Sequence, residues 1–344
     1  MLIINYLQGD NRLDLYTMKR LFLLLALVGM IATSCEDSGI EEPSNPTEQP
    51  DDNTDEEQPG DDENKDDEEY ANPDEIIKFV DNTVKTICLV NWDTNGDAEL
   101  SISEAVAVTN IGTKFQSKDI MAFDEFKYFT GVTTIVTGAF KDCANLVKIS
   151  IPNSVTMIGE RAFFDCDSLT SVTIGDSVTT IRDSAFRSCN SLTSVTIGDS
   201  VTWIGDSAFS GCVSLTSITI PDSVTEIGYE AFYGCISLTS VTIGDNVTEI
   251  GWEAFKGCDS LTSITIPDSV TWIGDSAFSG CVSLTSVYCK ATTPPSLRRD
   301  VFDDNHSGRK IYVPTGSVNA YKSDWSEYAS AIVGYDFENG VVVE

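Results

Sequence analysis

Residues 93–104 read Asp93-Thr-Asn95-Gly-Asp97-Ala-Glu99-Leu-Ser101-Ile-Ser-Glu104. Side-chain oxygens fall at window positions 1, 3, 5, 9 and 12, and the backbone carbonyl of Glu99 falls at position 7. Hard oxygen donors at this spacing suit Ca2+. Position 6, where glycine ordinarily makes the sharp turn, is Ala98, and Gly96 compensates only in part. The window is therefore either a structural calcium site or a metal-free turn. Elsewhere the reactive residues are thiols: the chain has 10 cysteines but one histidine, His306. A single histidine excludes His-pair zinc sites. No nucleophile–base pair and no phosphate-binding glycine loop is present, so the sequence is not expected to encode an enzyme.

The cysteines are periodic. They fall at 143, 166, 189, 212, 235, 258 and 281, every 23 residues, and leucines (146 to 284) and phenylalanines (140 to 278) keep the same step. A fixed period of this length marks a solenoid. Leu215-Thr-Ser-Ile-Thr-Ile220 alternates like a strand, Pro221-Asp222 turns, and Val224-Thr-Glu-Ile-Gly228 is a second extended piece. The unit has no room for a full helix. The expected fold class is mainly β: a β-solenoid of 23-residue coils with inward columns of Leu, Val/Ile, Ala, Phe and Cys. Stacked cysteines point in parallel, which disulfide geometry does not accept. They are expected to be buried free thiols behaving as small hydrophobes. Cys289 is expected in the core as well, and Cys88 has no assigned role.

Outward positions divide into two kinds. The long strand presents hydroxyls almost uniformly, as in Ser217/Thr219 and Ser240/Thr242. The short piece varies: Met157, Thr180, Trp203, Glu226, Glu249 and Trp272 occupy one position, Tyr229 and Trp252 another, and Tyr233 a third. Trp203, Tyr229, Tyr233, Trp252 and Trp272 are the candidate ligand-binding residues, since exposed aromatics on a rigid scaffold suit protein or carbohydrate recognition. Asp176, Asp199, Asp222, Asp245 and Asp268 share a turn position, where local backbone N–H groups are the expected partners.

The formal charge of −33 argues against a nucleic-acid partner, since phosphate neutralisation needs a Lys/Arg surplus. It is unevenly spread: residues 36–75 hold 19 Asp/Glu against Lys65 alone. Residues 36–73 therefore read as a disordered acidic tether. Before it, Met18-Lys-Arg20, the apolar run Leu21–Ala32 and Thr33-Ser-Cys35 form an export signal over 18–35. Residues 1–17 read as a start-site extension. The remaining boundaries are an N-terminal cap at 74–131, the solenoid at 132–290 and a C-terminal cap at 291–344. A helix is expected over Asp74–Leu89 and another from Ser103. At the other end, Lys310–Pro314 reads as a last strand, and Ser317 as the N-cap of a helix through Tyr328.

Three resemblances follow from these residues. Ala32-Thr-Ser-Cys35 resembles the bacterial lipobox, which implies lipidation at Cys35; the acidic pair after it resembles a surface-export tag, implying an outer-membrane, surface-exposed lipoprotein. The unit Ile218-Thr-Ile-Pro-Asp-Ser-Val-Thr-Glu-Ile-Gly-Tyr-Glu-Ala-Phe-Tyr-Gly-Cys235 resembles the BspA-like (Treponema-type) leucine-rich repeat over roughly residues 132–302. That resemblance implies a curved surface solenoid used in adhesion to host proteins or glycans, or a spacer or recognition subunit beside a glycan-import system. Residues 93–104 resemble an EF-hand loop. The chain thus looks like a solenoid with a small helical EF-hand-like N-terminal cap and a mixed α/β C-terminal cap.

Overall fold

In each coil the branched residues of Ser-Val/Ile-Thr-Ile alternate in and out, and the chain then turns at Pro/Gly-Asp into a two-residue strand. The computed structural model describes Asn72 and residues 74–343, and Cys35, the export signal and the acidic tether lie outside these. The short strands are β2 (Thr134–Ile135), β4 (Met157–Ile158), β6 (Thr180–Ile181), β8 (Trp203–Ile204), β10 (Glu226–Ile227), β12 (Glu249–Ile250), β14 (Trp272–Ile273) and β16 (Ser296–Leu297). They form one parallel eight-stranded ladder in which equivalent residues face each other, Trp203 beside Glu226 and Glu249 beside Trp272. The longer strands pair discontinuously. β5 (Ser171–Ile174) joins β7 (Ser194–Ile197), β9 (Ser217–Thr219) joins β11 (Ser240–Thr242), and β13 (Ser263–Ile266) opens a five-stranded sheet.

The interior is a set of columns. Phe140, Phe163, Phe186, Phe209, Phe232, Phe255, Phe278 and Phe302 stack with centroids 5.0–5.6 Å apart and ring planes within 11° of parallel. All nine described cysteines are buried and free. They are more than small hydrophobes: each thiol of the column donates to the phenylalanine carbonyl of the preceding coil, as Cys189 does to Phe163 at 3.1 Å. Burial pushes the Cys212 thiol up to about 12 and that of Cys143 to about 11. Backbone amides continue the axial coupling, with Phe209 donating to the Ala231 carbonyl and Phe232 to that of Ala254, both at 2.8 Å. Threonine hydroxyls add another ladder, Thr239 to the Thr216 carbonyl and Thr193 to that of Thr170, each 3.0 Å. The Asp column also works between coils rather than locally: Asp222 accepts from the Asp245 N–H at 2.8 Å.

Both ends close the phenylalanine column with aromatics. At the start, Phe115 stacks on Phe140 at 5.3 Å. The first helix, α1 (Asn82–Trp92), begins later than expected, because residues before it are extended and Ile76 bridges to Ser101. Asp81 caps it, accepting from Thr83 and Val84, and its other oxygen accepts at 2.6 Å from the N–H of Met121, the residue before β1 (Ala122–Phe123). Burial pushes the Asp81 carboxyl up, but these N–H donors hold it below its ordinary value. Cys88 is explained here: it faces inward from α1 and is fully buried. Helix α2 (Ile102–Ala107) follows, capped by Ser101.

At the far end, β15 (Ser286–Cys289) pairs with β17 (Lys310–Pro314), which is not the last strand: β18 (Ile332–Asp336) and β19 (Val341–Val343) follow. Ser317 does not cap α3 (Val318–Asp324); its hydroxyl donates instead to the Thr292 carbonyl at 2.7 Å, and the helix stops before Tyr328. Tyr328 and Trp325 meet Phe302 at 5.4 and 6.1 Å and end the column. Among the described residues no helix is long and apolar enough to cross a membrane.

Candidate functional site

The short-strand ladder positions the variable side chains. The two-residue strands from β4 to β14 bury their Ile and turn the first residue outward, and β16 ends the row with Ser296 beside a half-buried Leu297, so the outer row runs Met157, Thr180, Trp203, Glu226, Glu249, Trp272 and Ser296. Parallel rungs lie about 4.8 Å apart. A tight turn follows, in which Gly205, Gly228, Gly251 and Gly274 let consecutive coils approach; a Cβ on Gly251 would lie 2.6 Å from the Gly228 carbonyl. Beyond these glycines a second row runs Asp206, Tyr229, Trp252 and Asp275.

The structure brings four of the five expected aromatics together on neighbouring coils of this edge. Tyr229 and Trp252 are 39% and 37% exposed and meet edge to face at 4.8 Å with a 62° interplanar angle. One side of the Trp252 indole lies over the next coil, since a Cβ on Gly274 would fall 2.3 Å from its Cδ1. Trp203 and Trp272 are half-buried. Tyr233 is also half-buried but sits further round the coil, and no ring contact joins it to the others among the described residues.

Most carboxylates on this edge are already engaged. Asp206 accepts from the Tyr229 N–H at 2.9 Å, and Glu230 from the Ser207 hydroxyl at 3.1 Å. Glu253 pairs with Lys256 at 2.7 Å, and Asp275 with Arg299 at 3.2 Å. Glu226 and Glu249 differ: among the described residues neither has an ion-pair partner or a hydrogen-bond donor, and they are adjacent rungs. Partial burial, then the neighbouring Glu249 and Asp206, raise the Glu226 carboxyl above its ordinary value.

The oxygen-rich window of the N-terminal cap is an ordered turn. Ala98 itself takes the left-handed conformation, φ 65°, alongside Gly96 at φ 76°. Asp93 accepts from Gly96 at 2.7 Å and Ala98 at 3.0 Å, Asn95 from Asp97 at 2.8 Å, and Asp97 from Glu99 at 2.8 Å. Glu104 reaches across the loop, accepting from Thr94 N–H at 2.8 Å with one oxygen and from Ser101 N–H at 3.0 Å with the other. Partial burial raises its carboxyl, but the donors on Ser101 and Thr94 outweigh this and bring it to about 2. The sequence reading allowed for these oxygens but not for how fully backbone N–H groups answer them. Three carboxylates converge elsewhere among the described residues: Asp300, Asp303 and Glu327 of the C-terminal cap place oxygens within 4.8 Å of one another.

Sequence reasoning also missed an aromatic group on the hydroxyl face. Tyr288 replaces the threonine of the preceding coil, stacks on Tyr312 at 4.7 Å, and meets Tyr335 at 5.3 Å. The substitution of Thr265 by Tyr288 one period on was the available signal. Two clefts, of about 340 and 270 Å³, lie on the caps, and neither is lined by the Trp203–Trp272 edge.

A capped parallel coil with an invariant interior and a variable outer row defines a leucine-rich-repeat solenoid, typically a non-catalytic binding scaffold. The chain belongs to the BspA type leucine-rich-repeat family, whose repeat region matches residues 109–239 and 225–331 in six copies. Solved structures similar to it include a leucine-rich repeat protein from Bacteroides ovatus, at 27% identity and TM-score 0.45, covering 63% of this chain and 64% of that one. A Treponema pallidum leucine-rich repeat protein is 35% identical with TM-score 0.42, covering 44% and 72%. A leucine-rich cell surface protein from Faecalibacterium prausnitzii is 28% identical with TM-score 0.37, covering 60% and 64%. The chain thus spans 64% of the length of the Bacteroides ovatus protein. No curated protein matches it.

Proposed function

We propose that the protein is a lipid-anchored binding solenoid on the outer-membrane surface, attached through Cys35 and held off by its acidic tether, and that it mediates adhesion to host or microbial surface proteins or glycans. The observation that carries this reading is the aromatic edge. Trp203, Tyr229, Trp252 and Trp272 come from four successive coils whose interiors are nearly interchangeable. Aromatic side chains concentrate binding energy where a rigid scaffold exposes them. Near-identity of Leu192–Val213 and Leu261–Val282, which differ only at Val195/Ile264 and Gly198/Pro267, fits growth by repeat duplication.

The test is binding of the full chain and of Tyr229→Ala/Trp252→Ala to arrays of glycans and of purified host extracellular proteins. The reading expects at least one ligand lost by the variant. Arrays that retain every ligand leave the protein as a spacer or as a recognition subunit acting through another surface.

Calcium has a structural part in the same reading. Asp93, Asn95, Asp97, Ser101, Glu104 and the Glu99 carbonyl would hold it, and the all-oxygen donor set and the turn at Ala98 suit it. An ion bound at one hundred times its dissociation constant stabilises by about 2.7 kcal/mol. Added Ca2+ should raise the melting temperature of the native chain and not that of Asp93→Asn/Glu104→Gln.

A further inference from the structure

The central coils that carry the aromatic edge are poor in positive charge, and Arg298 and Arg299 enter only at its far end, where both sit on Asp275. Between Arg187 and Lys290 the sequence holds 11 Asp/Glu and a single basic residue, Lys256. That lysine is paired to Glu253 at 2.7 Å. Every other edge carboxylate has a backbone, hydroxyl or cationic partner; Glu226 and Glu249 alone stand on adjacent rungs without one among the described residues. Two like charges at rung spacing repel each other. Their row neighbours are Trp203 on one side and Trp272 on the other.

The order Trp–Glu–Glu–Trp along one row has a specific complement. A guanidinium or ammonium set over the pair would relieve its repulsion, and guanidinium groups also bind indole faces. The Tyr229–Trp252 pair supports this over sugar stacking: its rings are inclined at 62° and Trp252 covers Gly274, so they form no flat shared platform. Resting on the reading of this edge as the binding surface, we propose that its partner is a basic polypeptide segment, with arginine or lysine side chains seated on Glu226 and Glu249 between Trp203 and Trp272.

The test measures anisotropy of fluorescein-labelled nona-arginine with the full chain, beside a neutral glycan array. The whole chain is acidic, so a charge-matched control is needed: Asp324→Asn/Glu338→Gln removes two exposed carboxylates from the C-terminal cap. Glu226→Gln/Glu249→Gln should weaken the peptide at least tenfold, while the control changes it less than twofold. Equal weakening by both variants, or none by either, overturns the inference. So does a glycan that binds Glu226→Gln/Glu249→Gln as well as the native chain but is lost with Trp203→Ala/Trp272→Ala. That last result would leave the binding edge standing and change only its partner.

Discussion

The inside and the outer edge of the solenoid are built on the same short strands and follow opposite rules. Ile204, Ile227, Ile250 and Ile273 point inward and are identical; Trp203, Glu226, Glu249 and Trp272, one residue earlier, point outward and vary. The inward residue must fill a fixed gap between two copies of itself, so any change in volume is felt by both neighbours. The outward residue meets solvent and only the rungs beside it. The fold is therefore carried by what repeats, and recognition by what does not.

The comparison can be broken from the inside first. Phe232 lies in the ring stack between Phe209 and Phe255, at 5.4 and 5.2 Å. Phe232→Ala should cost about 3–5 kcal/mol in a denaturant titration. A cost below about 1 kcal/mol would mean the columns do not hold the fold. The turn beneath the edge comes next. Gly251→Ala brings a Cβ to 2.6 Å from the Gly228 backbone, so coils must separate, and urea unfolding should register a loss of about 1–3 kcal/mol. In the N-terminal cap the sign reverses. Ala98 holds φ 65°, and Ala98→Gly should raise stability by about 1 kcal/mol in thermal melting. The smallest effect belongs to the exposed ladder: Thr239→Val removes a 3.0 Å bond to the Thr216 carbonyl and should cost about 0.5–1 kcal/mol.

What the sequence disclosed follows the same division. The period was legible because Leu, Phe and Cys columns each demand one volume at one position, and the thiols could be read as free because stacked parallel positions do not meet. Their bonds to phenylalanine carbonyls were not legible, since they depend on the offset between coils. The caps were read less well because they break the period. Ile76 fell inside the helix expected over Asp74–Leu89 but bridges to Ser101, and Ser317 found the Thr292 carbonyl instead of a helix N-terminus. Tyr335 reaches Tyr288 and Tyr312 only through the register of β18, which no repeat announces. On the edge, the variable residues could be named in advance. That Glu226 and Glu249 are the edge carboxylates left without partners among the described residues depends on how neighbouring coils stack.

Removing whole coils tests the separation of interior and edge most directly. Deleting 238–260 takes out one 23-residue coil with Glu249 and Trp252; deleting 169–191 takes out one that carries neither. The measurement is nona-arginine binding by the two deletion proteins side by side, with thermal melting to confirm folding. Both should fold and melt cooperatively, because the columns close over either gap. Only the chain lacking 238–260 should lose the peptide. If both bind it equally, or if both lose it, the recognition surface is not the edge of these central coils.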